Sequence, residues 1–198
     1  MPAPFPPPWP ASGGGLVLGG QRIDLRTRVL VAGIVPPPRF GREGEVLATA
    51  ATVRSAGADL VDVSLPPRLA GPVARAGTMP VAVRAATAAE VAAARRVGAD
   101  VVMVPPEVAD DAAGEASAVA VVVDDLAAVS AARDVARRLG APLAIDASRW
   151  SGPEAVGREA AAVSLGCRLI RTADVRRSRR VAEVMAALLA ARREGGDR

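Results

Sequence analysis

Eight polar side chains lie at or just beyond the ends of apolar runs: Asp62, Arg68, Arg84, Asp146, Ser148, Arg149, Arg171 and Asp174. In an α/β barrel the C-terminal ends of the strands are where chemistry is placed. Arginine forks clamp phosphate or carboxylate groups with two parallel hydrogen bonds. An Asp beside them, Asp146 or Asp62, can take a proton. Together they describe a site for a phosphorylated or carboxylated small molecule. A competing expectation is purely structural. Arg84 and Arg171 would pair with carboxylates inside the barrel, while Asp62 and Asp174 cap neighbouring loops. The stretch "LIRTADV" (169–175) shows the tension, because Ala173 sits between Arg171 and Asp174 and offers nothing chemical.

The missing residue types narrow the chemistry further. The chain has no His, Tyr, Lys or Asn, and all 25 basic residues are Arg. Arg stays charged and does not form Schiff bases. A Lys-dependent aldolase and covalent pyridoxal phosphate attachment are excluded. So are a His/Cys zinc site and any triad with a His base. The lone Cys167 beside an apolar strand reads as a packed core thiol. Carboxylates, hydroxyls, Arg and backbone groups remain.

The 198 residues suffice for one domain with a sizeable core. Apolar residues make up 51% and aromatics only 2%, so that core must be built of Ala, Val and Leu. The net charge is +4, and the basic cluster Arg176, Arg177, Arg179, Arg180 has no aromatics around it for base stacking. A solvated helix start or a small-anion site fits it better than nucleic acid. No apolar run approaches a membrane span. The Pro/Gly-rich segment 1–15 lacks the basic start and apolar core of an export signal. It reads as a flexible arm, and the cytoplasm is the expected compartment.

Four phrases repeat one pattern, in which a helical run ends in Gly and a β-branched strand follows. They are "VRSAGADLVDV" (53–63), "ARRVGADVVMV" (94–104), "ARRLGAPLAID" (136–146) and "VSLGCRLIRT" (163–172). Gly57, Gly98, Gly140 and Gly166 fit the position just past a helix C-terminus. Seven strands are expected, at 29–35, 59–64, 79–83, 100–104, 118–123, 142–146 and 168–172. Helices are expected at 43–56, 87–97, 126–139, 153–165 and 179–193. In the last, Val181, Val184, Met185, Leu188 and Leu189 make one apolar face, read as core packing, and Gly195 and Gly196 stop the helix. Two connections that begin with Pro-Pro, 66–78 and 105–117, have room for about two helical turns. "LVLGGQRIDL" (16–25) reads as a hairpin capping one end. The pattern predicts a TIM-barrel-like parallel barrel, one βα unit short, with an N-terminal hairpin. It occupies one domain at 16–193, followed by a disordered tail at 194–198. A doubly wound open sheet is the alternative, but no Gly-rich dinucleotide fingerprint follows any strand.

Taken in order, these segments resemble the dihydropteroate synthase family, the pterin-binding barrel of folate synthesis. Residues 16–40 are similar to the family's opening hairpin and first strand. "AGADLVDVSLPP" (56–67) resembles its second strand, and residues 79–104 its third and fourth. "ASRW" (147–150) is similar to its Ser-Arg-Lys motif, and "LIRTADV" to its last strand. The resemblance implies a transferase, magnesium with pyrophosphate at the site, and dimers formed through late helices. It also implies where this chain departs. The first loop, "GIVPPPRF", has no Asn for the magnesium–pyrophosphate group. The second loop keeps only Arg68 for its Ser-Thr-Arg. Arg84 stands where an Asp accepts from the pterin. Met103 and Val104 stand for Asn-Asp, Trp150 for Lys and Ala173 for His. "LAIDASRW" matches either the sixth strand, so that Asp146 keeps the pterin contact, or the seventh, so that Ser148 keeps its pairing with the last-strand Arg.

Each lost hydrogen bond at a buried site costs about 1–3 kcal/mol, so four or five losses weaken pterin binding by roughly four orders of magnitude or more. The reading is therefore a degenerate member, a pseudoenzyme without cofactor. It would act as a binding or partner protein, as a homo-oligomer or a hetero-pair with a folate-pathway enzyme. The alternative is an active enzyme with a rebuilt Arg/Asp site.

Overall fold

The computed structural model describes residues 15–18, 20–36, 43–63, 70–113 and 118–196. Residues 1–14 of the expected arm, Arg68 and the last two residues of the expected tail lie outside these.

The repeated phrases set the architecture. Gly57, Gly98, Gly140 and Gly166 all take positive φ, from 63° to 117°. At Gly140 the left-handed backbone turns its N–H onto the carbonyls of Ala136 and Arg137, which ends the helix and aims the chain back into the sheet. The next residues anchor the strand that follows. Asp59 Oδ2 accepts the backbone N–H of Val31, and Asp100 Oδ2 accepts that of Val81, each at 2.8 Å. The Asp of the Gly-Ala-Asp phrase thus joins each strand to the one before it.

The elements are β1 (Gly15–Leu18), β2 (Gln21–Asp24), β3 (Leu30–Ile34), α1 (Glu43–Ser55), β4 (Leu60–Asp62), α2 (Ala70–Ala76), β5 (Val81–Arg84), α3 (Ala88–Arg96), β6 (Val101–Val104), α4 (Ala109–Ala112), β7 (Ala118–Val123), α5 (Val129–Leu139), β8 (Leu143–Asp146), α6 (Gly152–Ser164), β9 (Leu169–Thr172) and α7 (Val175–Gly196). Strands β3 to β9 form a closed barrel of seven parallel strands in chain order, with β9 pairing back to β3. The sheet is therefore not open. Among the described residues, the two Pro-Pro connections hold α2 and a short 3-10 turn with α4.

Alternation sorts each strand into two faces. Leu30, Leu60, Val101 and Leu169 point inward near the strand starts, with Ala32, Ala82, Met103, Ala120 and Ala144 above them. Val31, Val61, Val81, Val102, Val121 and Ile170 point outward and pack against the helices. The hairpin β1–β2 sends Leu16 and Leu18 into the interior cluster, joined by Leu25, and so plugs the N-terminal end. Burying a leucine in this way is worth about 1.5–3 kcal/mol. Gly33 is required on the outer face of β3. A Cβ there would lie 2.3 Å from Val53 Cγ1 and 2.7 Å from Val175 Cγ2, so α1 and α7 pack directly on its backbone.

The last helix departs from the expectation at both ends. It begins at Val175 rather than 179, because Asp174 caps it: Oδ1 accepts the N–H of Arg177 at 3.1 Å, and its carbonyl accepts that of Ser178. It also continues to Gly196, through the glycines expected to stop it. Its apolar stripe is only partly core. The buried face is centred on Ser178, Ala182 and Met185, so Val184 and Leu188 fall on its flank and stay 60% and 49% exposed.

Candidate functional site

The inward register that buries Leu60, Ala82, Ala144 and Leu169 also carries the residue two positions later on each strand. Those residues are Asp62, Arg84, Asp146 and Arg171. All four therefore enter one layer at the C-terminal end of the barrel, and β7 adds Asp124 just past its last residue.

They form a chain of ion pairs across the mouth. Arg171 donates from Nε to Asp62 Oδ2 at 2.6 Å and from Nη1 to Asp146 Oδ2 at 2.7 Å. The same Asp146 oxygen accepts Arg84 Nη1 at 2.5 Å. Arg84 Nη2 reaches both oxygens of Asp124, at 2.9 and 3.1 Å. Asp146 Oδ1 accepts the backbone N–H of Ser148 at 2.9 Å, which fixes the turn after β8. Burial is graded along the chain. The Asp62 side chain is fully buried, Asp146 and Arg171 nearly so, Arg84 is 31% exposed and Asp124 64% exposed. In these pairs three carboxylates face two guanidiniums.

The structure thus brings together four of the eight singled-out residues. Asp62 meets Arg171, which stands on the far side of β3 from it. Asp174 caps α7 outside the network. Ser148 contributes its backbone N–H to Asp146, while the guanidinium of Arg171 goes to Asp62 and Asp146. Arg149 is exposed in the turn after β8, with no ion pair among the described residues. Arg68 is not among the described residues.

Two participants were missed from sequence. Asp124 follows a predicted strand directly, the same signal that marked the others. Glu159 is fully buried between α6 and α7, where its Oε1 accepts Ser178 Oγ at 2.8 Å and Arg177 Nη2 at 2.9 Å. Burial raises its pKa above the ordinary carboxyl value, and the Ser178 and Arg177 hydrogen bonds oppose that rise. Only its helical spacing from Ala155 and Ala162 hinted that it faces inward. Arg177 also donates to the Trp150 carbonyl, and Trp150 lies beneath the Arg158 guanidinium, 5.8 Å from it.

Half of the basic cluster is therefore committed internally: Arg177 to Glu159, and Arg179 to Asp59 and the Gly57 carbonyl. Arg168 is buried too, and donates to the carbonyls of Val163 and Cys167 at the C-terminal end of α6, where the helix dipole favours a cation. Cys167 is buried, and its thiol is pushed up to about 12, so it stays protonated and unreactive.

Among the described residues, no group of three or more His, Cys, Asp or Glu could hold a metal ion. Among the described residues, the charged groups at the mouth are engaged with one another. Asp62, Asp146 and Asp124 each already hold a guanidinium, and Arg84 and Arg171 each already hold carboxylates. At the end of β6, Met103 belongs to the interior core and Val104 to the outer one, so neither position offers a polar contact.

No protein-family model matches the chain, and no curated protein matches it in sequence. Solved structures do. The Yersinia pestis dihydropteroate synthase superposes with a TM-score of 0.66 at 17% identity, covering 90% of this chain and 100% of that one. The Burkholderia cenocepacia dihydropteroate synthase complexed with 7,8-dihydropteroate gives 0.64 at 18%, covering 91% and 98%. The Xanthomonas albilineans enzyme in complex with 7,8-dihydropteroate gives 0.62 at 20%, covering 89% and 99%. The chain therefore has the dihydropteroate synthase-like, pterin-binding barrel fold. Likeness at these identities speaks for the fold alone. No helix among the described residues is long and apolar enough to cross a membrane.

Proposed function

We propose that this barrel does not run the synthase reaction and serves as a binding or partner protein related to folate biosynthesis. One observation carries the reading. The polar groups at the C-terminal mouth are spent on one another, in the chain Asp62–Arg171–Asp146–Arg84–Asp124. Pterin recognition needs several donors and acceptors held ready for one heterocycle. Breaking a buried pair to supply them leaves an uncompensated charge and costs about 3–5 kcal/mol. The partner half of the reading is supported by α7, where Val184 and Leu188 lie one turn apart and exposed.

The test has two arms. Calorimetric titration with 7,8-dihydropteroate, with and without magnesium and pyrophosphate, is expected to give no saturable heat up to about 1 mM. Saturable binding together with dihydropteroate formation overturns the reading. In the second arm, sedimentation of the purified chain is expected to show a concentration-dependent assembly that Leu188→Glu weakens. A strict monomer that associates with no folate-pathway enzyme removes the partner half.

A further inference from the structure

We propose that Arg177 is a two-position latch on the turn at the edge of the barrel mouth, and that a proton on Glu159 sets its position. The inference goes beyond the functional reading above and does not depend on whether a pterin binds.

Arg177 stands between two carboxylates of unlike burial. Inside, its Nη2 donates to Glu159 Oε1 at 2.9 Å, and the Glu159 side chain is fully buried. Outside, its Nη1 lies 3.7 Å from Asp174 Oδ2, on a side chain that is 55% exposed. That outer carboxylate is already fixed in place, because Asp174 Oδ1 accepts the backbone N–H of Arg177 at 3.1 Å. A separation of 3.7 Å is too long for a hydrogen bond, so a small movement of the guanidinium would complete one. In the inner position the same Nη1 donates to the Trp150 carbonyl at 3.2 Å. The turn after β8 is therefore pinned at both ends. Asp146 Oδ1 holds the Ser148 N–H, the Trp150 N–H closes onto the Ala147 carbonyl at 3.0 Å, and Arg177 holds the Trp150 carbonyl.

The charge of Glu159 keeps Arg177 inside. Glu159 Oε2 and Arg177 Nε are both buried without a partner among the described residues. A buried carboxylate oxygen left unpaired is costly, and a proton there removes the charge while Oε1 stays in place. Other charged groups around α6 are turned elsewhere. Arg168, at the start of β9, donates to the carbonyls of Val163 and Cys167. Asp125, on the short turn Leu126–Ala128 beside α6, is tied to the Ala127 N–H. Asp146 of β8 faces the mouth, where it takes Arg171 and Arg84. On α6 itself, Arg158 lies over the Trp150 ring and Glu154 is exposed. From α7, Arg177, Ser178 and Asp174 act on Glu159. Burial pushes its carboxyl above 4.5, the Ser178 and Arg177 hydrogen bonds oppose the rise, and the Asp174 charge adds to it. Glu159 is therefore neutral below that raised value and charged above it. Once it is neutral, its bond to Arg177 drops to roughly half its strength. Asp174 becomes the better acceptor, Nη1 leaves the Trp150 carbonyl, and the turn is released.

Tryptophan emission of the full chain tests this. Trp9→Phe leaves Trp150 as the sole tryptophan. Its emission, followed from about pH 4 to pH 8, should step with a midpoint above 4.5 while far-UV circular dichroism stays constant. In the same background Glu159→Gln should hold the emission at its acid value throughout. Asp174→Asn keeps a capping side chain but removes the outer charge, so it should move the midpoint to lower pH. Emission that ignores pH overturns the proposal, as does a step that persists in Glu159→Gln. Loss of helix at the same midpoint also overturns it, since the step is then acid unfolding. Asp174 is a surface residue, so its variant reports even where Glu159→Gln does not fold, and an unmoved midpoint there removes the outer position of the latch.

Discussion

At the N-terminal end of the barrel, Asp59 and Asp100 accept backbone N–H groups of the neighbouring strand. At the C-terminal end, Asp62 and Asp146 accept guanidinium N–H groups of Arg171, on the strand beside Asp146 and one strand removed from Asp62. The residue type is the same, but the work differs. The lower carboxylates hold backbone N–H groups of the preceding strand, although Asp59 also takes the guanidinium of Arg179 from α7. The upper ones are joined through guanidiniums, with Asp62 meeting Arg171 over 109 residues. The lower end is also sealed by hydrocarbon, through Leu16 and Leu18 of the hairpin. At the upper end the described residues meet in a charged layer. A barrel can thus keep its apolar floor while its mouth is rebuilt, because the two layers share strands but not partners.

The comparison predicts unequal costs. Arg171→Met removes one cation from two buried carboxylates and should cost about 3–5 kcal/mol, read from urea unfolding. Asp100→Ala removes an acceptor from one strand-end N–H and should cost about 1–2 kcal/mol by the same measurement. If Arg171→Met proves the milder change, the mouth is not held by its charges and the contrast between the two ends fails.

The legibility of the molecule follows the same division. Interactions between near neighbours were readable. Glycine after a helix, continuous β-branched runs and the phrase "LVLGGQRIDL" made the seven strands, their parallel order and the plugging hairpin legible. Boundaries moved where one residue decided them. Pro142 cannot donate, so β8 starts at Leu143, and Asp174 caps α7 four residues before the expected start. The site was readable as a set of residues but not as a set of pairs. Period-two alternation places Asp62, Arg84, Asp146 and Arg171 on one inner layer. It does not say that Asp146 would take two guanidiniums on a single oxygen, because that depends on barrel closure bringing Arg84 of β5, which is not a neighbour of β8, as near as Arg171 of the adjacent β9. Asp124 obeyed the strand-end rule and was overlooked. Glu159 broke the expectation that a charged residue on a helix faces water, and only the fold supplies its partners.

Glu159 also extends the comparison to a third use of a carboxylate, behind the mouth between α6 and α7. Its Oε1 holds Ser178 and Arg177, while its buried Oε2 has no partner among the described residues. Burial is the largest influence on it and raises its folded pKa above the ordinary 4.5, so the folded chain keeps this proton more tightly than the unfolded chain. The sign follows from linkage. The stabilisation from protonated Glu159 is fully present below its unfolded pKa, and it is lost as pH rises through the raised folded value. Glu159→Gln cannot titrate, so it isolates the effect. The stability of the unaltered chain relative to Glu159→Gln should fall as pH climbs from about 4.5, measured as urea midpoints across the series. A flat difference would mean that Arg177 and Ser178 fully offset the burial of Glu159. The carboxylate would then belong with those of the mouth, balanced by its partners, rather than forming a third class.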